Sequence, residues 1–238
     1  MKLINLKFNL CLITLTFFSV FSLKAMADDE VTINGIDYLL TEDGYAKIVN
    51  FDDDEIPDNL TIPMEVTHDG KAYVVYSMVD KAFSGSLIKT LVVEANCVIS
   101  ENAFAGCAQL KSVKMNGNIS AINAGAFRRC ANLETVIFSD KIEEIGINAF
   151  EQCKNLKAIT LPKNLKKMGG NAFFMCTNLE TVNLNQTYKN KIEVEKTEKA
   201  KSFFGGTKYL SSQTQMSDKV KKSLGGYGNI KMGKSVKF

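Results

Sequence analysis

The chain has 238 residues and a formal net charge of +3 at neutral pH, an excess of positive charge too small to indicate a nucleic-acid partner. Its length is sufficient for one array of repeats with a continuous hydrophobic core. His68 is the only histidine, so a catalytic triad would depend on this one residue. It lies in a predicted hairpin turn, and we expect it at the surface.

Residues 1–27 are predicted to form a secretory signal peptide. Lys2 and Lys7 supply a basic start, residues 8–23 are apolar, and Ala25-Met26-Ala27 is a small-residue cleavage site. The alternative, an uncleaved membrane anchor, is disfavoured because a span needs roughly 18–20 apolar residues. We therefore expect export to the periplasm, the cell surface or the medium, with no transmembrane segment in the mature chain.

Residues 28–77 lack any repeat and are predicted to form an N-terminal β cap. Two hairpins are expected: the first joins Ile36–Leu40 to Tyr45–Phe51 through Glu42-Asp43-Gly44, and the second joins residues 60–66 to residues 71–76 through His68-Asp69-Gly70. Such a cap would cover the apolar end of a stack of repeats.

From residue 78 to residue 184 the apolar residues recur with a period of about 23. Ala-Phe pairs are followed in the last four copies by Cys three residues after the Phe and by Leu six residues after it. These positions are Phe83, Phe104, Phe127, Phe150 and Phe173; Cys107, Cys130, Cys153 and Cys176; and Leu110, Leu133, Leu156 and Leu179. Such a period is typical of a solenoid whose stacked coils share one core.

Each repeat is predicted to contain a short strand, a second extended segment and one helical turn. In one copy Val113 and Met115 face inward on the strand, since alternate residues share a face. Residues 126–130 are too few for an independent helix and fit a single turn. Cys97 is expected inside. Asparagines are expected to cap the turns at Asn102, Asn148 and Asn171, and to form bends at Asn132, Asn155 and Asn178.

Residues 185–238 are predicted to contain a charged insertion, a degenerate repeat and a C-terminal cap. The insertion, residues 189–201, is rich in Lys and Glu and is expected to form an exposed loop or a short exposed helix. Phe204, Thr207 and Leu210 restore the spacing of the repeat. A short helix over residues 217–224 and a terminal strand over residues 229–238 are expected to follow.

The pattern in residues 145–162, with Phe150, Cys153, Leu156, Ile159 and Leu161, resembles the BspA-like leucine-rich repeats of bacterial secreted and cell-surface proteins. The resemblance implies a strand-rich α/β fold: a right-handed leucine-rich-repeat solenoid with short helical turns, an N-terminal β-hairpin cap and a C-terminal cap. It also implies the usual role of that family, which is adhesion or protein–protein binding.

The periodic cysteines of an exported chain invite a disulfide interpretation. Stacked coils would place their Cα atoms about 4.8 Å apart, within range of a bridge, but the Cβ vectors would run parallel. We predict free buried thiols that behave as small hydrophobes, and disulfide bonding is the alternative. A metal site is disfavoured because the chain has no C-x-x-C motif.

No other group of residues indicates chemistry. The acidic run at residues 52–55 lacks the alternating spacing of a calcium loop, so at most weak metal binding is expected there. Glu143 and Glu144 are adjacent, and strand geometry would point their carboxylates to opposite faces. We therefore predict that the chain is not an enzyme and has no catalytic, cofactor or metal site.

A partner-binding surface is predicted on the outward face of the strands. It comprises Thr90, Val92, Lys114, Asn116, Thr135, Ile137, Thr160 and Asn183. The face has no Trp, Tyr or Arg, the residues that usually dominate binding energy. Beside it, Lys111, Glu134, Lys157 and Glu180 form a column of alternating charge that is expected to support the register by ion pairing.

These observations predict an exported, non-catalytic module for protein–protein binding or adhesion. The expected kind of partner is a host extracellular-matrix protein or an envelope protein, and the oligomeric state is left open. The alternative is a structural spacer or scaffold element of the cell envelope without a specific ligand.

Overall fold

The computed structural model describes residues 29–52, 54–184 and 193–195. The predicted signal peptide, degenerate repeat and C-terminal cap lie outside these residues. The described strands are β1 (Asp29–Ile33), β2 (Ile36–Leu40), β3 (Tyr45–Phe51), β4 (Asn59–Ile62), β5 (Glu65–His68), β6 (Lys71–Met78), β7 (Thr90–Val93), β8 (Ser112–Met115), β9 (Ala121–Ile122), β10 (Thr135–Ile137), β11 (Glu144–Ile145), β12 (Ala158–Leu161), β13 (Lys167–Gly169), β14 (Thr181–Leu184) and β15 (Glu193–Glu195).

The N-terminal sheet has the strand order β1-β2-β3-β6-β5. The predicted hairpin of β2 and β3 is confirmed, with the bounds expected from the sequence. The prediction of the second hairpin is partly wrong, because residues 60–66 do not form one strand. Pro63, which has no N–H to donate, separates β4 from β5. Only β5 forms the hairpin with β6, through Asp69 and Gly70, which both have positive φ as a tight turn requires.

Strands of successive repeats pair in parallel and in register. One sheet has the order β10-β8-β7-β4, so it includes a strand from the segment predicted as the cap. The strands β12 and β14 pair separately. The interruption coincides with Phe138, the bulkiest residue in the column that also contains Met115 and Leu161. Phe138 is only half-buried, and its ring meets that of Phe150 edge-on at a centroid distance of 5.6 Å.

A second parallel sheet has the order β9-β11-β13-β15. Lys167 pairs with Glu193 and Met168 with Val194. The expectation of a loop or helix across residues 189–201 is therefore wrong for Glu193–Glu195. The apolar-polar alternation of this segment allows it to extend the sheet.

The predicted helical turns are not formed, since no helix occurs in residues 29–52, 54–184 or 193–195. The Phe127 N–H donates to the Ala149 carbonyl of the next repeat at 2.7 Å, whereas the Arg128 N–H donates back to Gly125 at 2.9 Å. Positive φ angles two residues before and after each Phe interrupt helical geometry. They occur at Lys81 and Gly85, Asn102 and Gly106, Gly125 and Arg129, Asn148 and Gln152, and Asn171 and Met175.

One of the two predictions for the asparagines is wrong and the other is confirmed. Those before Ala-Phe adopt the left-handed conformation and are not observed as helix caps. Those before the strand Leu lie in turns, as predicted, and form a side-chain ladder between repeats. Asn132 donates its amide to the Ala108 carbonyl at 2.8 Å, Asn155 to the Asn132 side chain at 3.2 Å, and Asn178 to Asn155 at 3.5 Å.

One hydrophobic core runs through the cap and the repeats. The phenylalanine rings from Phe83 to Phe173 stack at centroid distances of 5.0, 5.3, 5.2 and 5.2 Å and are nearly parallel. Phe51 of β3 continues this column against Phe83 at 5.8 Å, which joins the N-terminal sheet to the repeats. The predicted burial of Cys97 is confirmed, with 3% of its surface exposed.

Candidate functional site

The predicted partner-binding residues lie on the outer face of the strands that carry the repeats. Thr90 and Val92 are half-buried, and the other six are exposed: Lys114, Asn116, Thr135, Ile137, Thr160 and Asn183. The register places Val92, Lys114 and Ile137 side by side on adjacent strands. Thr160 and Asn183 are also adjacent, but on the separate pair β12 and β14. The structure thus brings five of the eight residues onto one sheet, and Asn116 follows directly after the end of β8.

Sequence reasoning missed the first strand of this face. Thr61 of β4 lies beside Val92, and Asn59 lies beside Thr90, where its side-chain oxygen accepts a hydrogen bond from the Thr90 hydroxyl at 2.8 Å. The sequence pattern that could have predicted this strand is the alternation of polar and apolar residues over Asn59–Ile62, which matches the alternation over Thr90–Val93. The spacing between these two strands is larger than the repeat period, which concealed the match.

Two residues that the alternation places outside are buried. Ser139 is buried, and its hydroxyl donates to the Gly117 carbonyl of the preceding repeat at 2.9 Å. Pro162 is buried as well. Both follow the ends of their strands, where the chain turns inward, so the period-two rule for side chains no longer applies.

The predicted ion pair between Lys111 and Glu134 is not found, although the Glu134 N–H donates to the Lys111 carbonyl at 2.9 Å. At the start of this column, Lys89 pairs instead with Asp58 at 2.7 Å. Further ion pairs between repeats occur on the second sheet and on the turns. Glu143 contacts Lys166 at 2.7 Å, Glu144 contacts Lys167 at 3.0 Å, and Arg128 contacts Glu151 at 2.8 Å. Both adjacent glutamates are thus paired with lysines, an arrangement that suits register support rather than acid–base chemistry.

The cysteine thiols are internal hydrogen-bond donors. The five described cysteines are free and buried. Four donate to phenylalanine carbonyls: Cys107 to Phe83 at 3.2 Å, Cys130 to Phe104 at 3.1 Å, Cys153 to Phe127 at 3.2 Å and Cys176 to Phe150 at 3.1 Å. Ser86 occupies the same position in the first repeat, and its hydroxyl lies 3.3 Å from the Cys107 sulfur.

Burial of these thiols, and a raised pKa at three of them, argue against nucleophilic chemistry. A hydrogen bond with the Cys130 thiol lowers the pKa of Cys107, but the Cys107 thiol is fully buried. Burial raises the pKa of Cys97 to about 11. Burial, together with the neighbouring Cys176 thiol, raises the pKa of Cys153 well above its ordinary value. A hydrogen bond with the Cys107 thiol, together with burial, raises the pKa of Cys130. A reactive cysteine needs the opposite, a lowered pKa and access to solvent.

The other candidate sites also show no arrangement that indicates chemistry. His68 lies at the end of β5 with its Nε2 atom 3.6 Å from an Asp69 oxygen, and 38% of its side chain is exposed. Within the described ranges, no group of three or more His, Cys, Asp or Glu residues is arranged to hold a metal ion. No helix in the same ranges is long and apolar enough to cross a membrane.

A second exposed patch lies on the outer face of the N-terminal sheet. Tyr45 and Tyr76 are nearly half-exposed, and their rings meet edge-on at a centroid distance of 5.6 Å. Val74, opposite Tyr45 in the register, is also exposed, as is Met64 before β5. The strand face has no aromatic residue, so this patch is the more apolar of the two.

Six copies of the profile described as BspA type Leucine rich repeat region match residues 77–195. The chain belongs to the BspA-type leucine-rich repeat family. No curated protein matches the chain. Leucine-rich repeat proteins are generally non-enzymatic and act in protein interaction, and this membership indicates no catalytic function.

Solved structures of leucine-rich repeat proteins are similar to this BspA-type chain. A leucine-rich cell-surface protein from Faecalibacterium prausnitzii is 25% identical with a TM-score of 0.60, over 77% of this chain and 48% of that one. A leucine-rich repeat protein from T. pallidum is 25% identical with a TM-score of 0.54, over 65% and 71%. One from Eubacterium ventriosum is 19% identical with a TM-score of 0.53, over 80% and 53%, and shows the fold alone. The chain spans about half of the length of the F. prausnitzii protein.

Proposed function

We propose that this chain is an exported, non-catalytic module that binds a protein partner through the outer face of its repeat strands. The observation that supports this proposal is the register of the paired strands. It places four outward residues in one continuous row across four hydrogen-bonded strands: Thr61, Val92, Lys114 and Ile137. Strand pairing already fixes the backbone of this row, so binding requires no further ordering of the chain there, which lowers the entropic cost of association.

Export and the form of the repeat array belong to the same proposal. The predicted signal peptide would direct the chain out of the cytoplasm, and the description of the F. prausnitzii relative as a cell-surface protein supports this. The parallel sheets on two sides of the core support a right-handed solenoid, the arrangement in which the strand face is a continuous surface.

The side chains of the strand face indicate which chemical groups a partner would offer. Threonine, asparagine and lysine supply hydrogen bonds, and Ile137, 52% exposed, supplies an apolar contact. The partner is a protein of the host extracellular matrix or of the cell envelope that offers acceptor groups around a small apolar residue. The absence of Trp, Tyr and Arg from the face indicates modest affinity.

Capture experiments with the mature chain test this proposal. The immobilised protein is exposed to extracellular-matrix and envelope extracts, and captured proteins are identified by mass spectrometry. The double variant Lys114→Glu, Ile137→Asp should lose a partner that the unaltered protein retains. Tyr76→Ser, on the N-terminal sheet, is the control and should retain it. Equal capture by the face variant and the unaltered protein would exclude the strand face as the binding surface.

The alternative function is a spacer or scaffold element of the cell envelope without a specific ligand. The observation that favours it is the lack of aromatic and arginine side chains among the strand-face residues. Sedimentation velocity distinguishes the two functions. A scaffold element should associate with itself as the concentration rises, whereas a binding module should sediment as one species and capture a partner.

A further inference from the structure

A groove of about 470 Å³ lies between the N-terminal sheet and β4, at the first end of the repeat stack. Ile33, Ile36, Leu60 and Val66 supply its apolar lining. The volume is within the range of about 300–1,000 Å³ that is typical of ligand-binding clefts. The groove adjoins the strand face at β4, which lines it with Asn59, Leu60 and Thr61, and the rest of its lining comes from the N-terminal sheet and the segments that flank β4.

The strand that borders this groove has an unpaired edge. β4 lies at the end of its sheet and, among the described strands, pairs only with β7. The Asp58 carbonyl accepts the Thr90 N–H at 3.1 Å, and the Ile62 carbonyl accepts the Glu94 N–H at 2.9 Å. Backbone groups of alternate residues point to opposite sides of a strand, so those of Asn59 and Thr61 point away from β7. No backbone group in the described part of the chain bonds to them.

Tyr38 contributes a hydroxyl to the groove. Tyr38 lines the groove and is only 1% exposed. Burial raises the pKa of Tyr38, so the group is neutral at physiological pH and can both donate and accept a hydrogen bond. A polar group of a ligand in the groove could therefore bond to this hydroxyl.

The charge around the groove is acidic. Glu55 is the one charged residue among the described residues that line it. Asp52, Asp54 and Asp58 lie close by in the sequence and are exposed, and Asp58 is also paired with Lys89 at 2.7 Å. A ligand that carries Lys or Arg would therefore match the groove and its rim.

We propose that this groove binds an extended, basic segment of a partner protein, which adds as a further strand to the free edge of β4. The segment forms backbone hydrogen bonds with Asn59 and Thr61. Alternate side chains point into the apolar groove towards Tyr38, and the others place their positive charge near Glu55. β4 has four residues, so the paired stretch is about 13 Å long. This interaction uses the backbone edge of β4, whereas the function proposed above uses outward side chains of β4, β7, β8 and β10, so the two surfaces adjoin at β4 but bind through different groups.

The test is titration of the full mature chain with a labelled peptide, Thr-Lys-Val-Lys-Val-Thr, followed by fluorescence anisotropy. Glu55→Lys should weaken binding about tenfold at low salt and should favour the matched peptide in which glutamate replaces lysine. Tyr38→Phe, which removes only the hydroxyl, should weaken binding about threefold. The strand-face variant Lys114→Glu, Ile137→Asp should bind the peptide normally, which separates this proposal from the preceding one.

A separate experiment tests whether the peptide forms backbone hydrogen bonds with the edge of β4. Thr61→Pro removes an outward N–H while leaving the bonds to β7, and proline is tolerated on edge strands. It should weaken peptide binding about tenfold, whereas Thr61→Val should not. In the saturated complex, hydrogen exchange of the Thr61 amide of the unaltered protein should slow at least about tenfold. No binding by the unaltered protein, an unchanged exchange rate, or peptide binding that Glu55→Lys leaves intact would overturn the proposal. Self-association that the peptide abolishes would also overturn it, by making a second copy the occupant.

Discussion

Two glycines, Gly146 directly after β11 and Gly169 in β13, lie where the backbones of neighbouring repeats approach closely. A Cβ atom on Gly146 would lie 2.6 Å from the Ala124 nitrogen, and one on Gly169 would press against the Ile147 nitrogen. Backbone atoms cannot move aside as the end of a flexible side chain can. Glycine at these positions therefore sets how closely the repeats stack, and this requirement is steric rather than conformational.

Gly146→Ala should lower the free energy of unfolding by about 3 kcal/mol, because the added methyl group meets backbone of the preceding repeat. The control is Gly106→Ala, where φ is positive and nothing lies within 4 Å of the added atom. The equivalent positions hold Arg129, Gln152 and Met175 at positive φ, so the control should cost only about 1 kcal/mol. Urea unfolding of both variants measures the difference. Equal losses would contradict the steric explanation.

The buried Cys97 thiol predicts a dependence of stability on pH. Burial raises its pKa from 9.0 to about 11, so the thiol ionises in the unfolded chain before it ionises in the folded one. Its contribution is complete below about pH 9 and is lost as the pH rises through about 11. Cys97→Ala should reduce the fall in unfolding free energy over this window by about 2 kcal/mol.

Denaturant unfolding at several pH values between about 8 and 11 measures this effect. Ile99→Val, a buried change close by without a titrating group, is the control and should lower stability by a similar amount at every pH. If Cys97→Ala shows the same pH dependence as the unaltered protein, the thiol is not the group responsible.

The phenylalanine column is the feature that most directly joins one repeat to the next. Its rings stack at intervals close to the spacing of paired strands, so the ring column and the backbone ladders impose the same separation. The thiol bonds to phenylalanine carbonyls follow the same interval. Ring stacking, backbone hydrogen bonds and thiol hydrogen bonds therefore all require the same register between repeats. A repeat that shifted would break all three.

Phe127→Ala should lower the free energy of unfolding by about 3–5 kcal/mol, because its ring is fully buried between two others. Phe51→Ala, at the partly buried end of the column, should cost clearly less. Circular dichroism during denaturation measures both. A larger loss at Phe51 would show that the junction with the N-terminal sheet, and not the centre of the column, dominates stability.

The N-terminal sheet and the repeats share one core across the described part of the molecule. β4 belongs to the first repeat sheet by pairing, and β3 contributes Phe51 to the ring column. The cap is therefore part of the same cooperative structure and not a separate lid. Four of the seven tyrosines of this tryptophan-free chain, Tyr38, Tyr45, Tyr73 and Tyr76, lie in that sheet, and the others are Tyr188, Tyr209 and Tyr227.

In a background in which Tyr188, Tyr209 and Tyr227 are replaced by Phe, the remaining tyrosines all lie in the N-terminal sheet. In that background Phe173→Ala, at the far end of the column, should lower the unfolding midpoint detected by tyrosine fluorescence as well as that detected by circular dichroism. The reason is that a continuous core transmits the loss to the N-terminal sheet. Each variant is followed with both signals in the same denaturant series. A fluorescence midpoint that stays unchanged while the dichroism midpoint falls would show that the two ends unfold independently.

The sequence by itself determined the family, the strand-rich repeat architecture and most of the core. It could do so because each repeat buries the same positions, so Phe, Cys and Leu recur at intervals that are visible without a structure. The outward positions within strands followed from simple alternation. The hairpin of β2 and β3 was readable because its turn and its strands are contiguous in the chain.

Only the tertiary structure decided how the backbone hydrogen bonds are shared. The segments around each Phe are not helical because half of their N–H groups donate to the next repeat, a partner that local spacing does not reveal. The pairing of β4 with β7, the extension of the second sheet by β15 and the break near Phe138 depend in the same way on distant segments. The groove beside β4 lies where the edge strand of the first repeat sheet meets the N-terminal sheet. No local sequence pattern shows that β4 is an edge strand, because this depends on which distant strands pair with it.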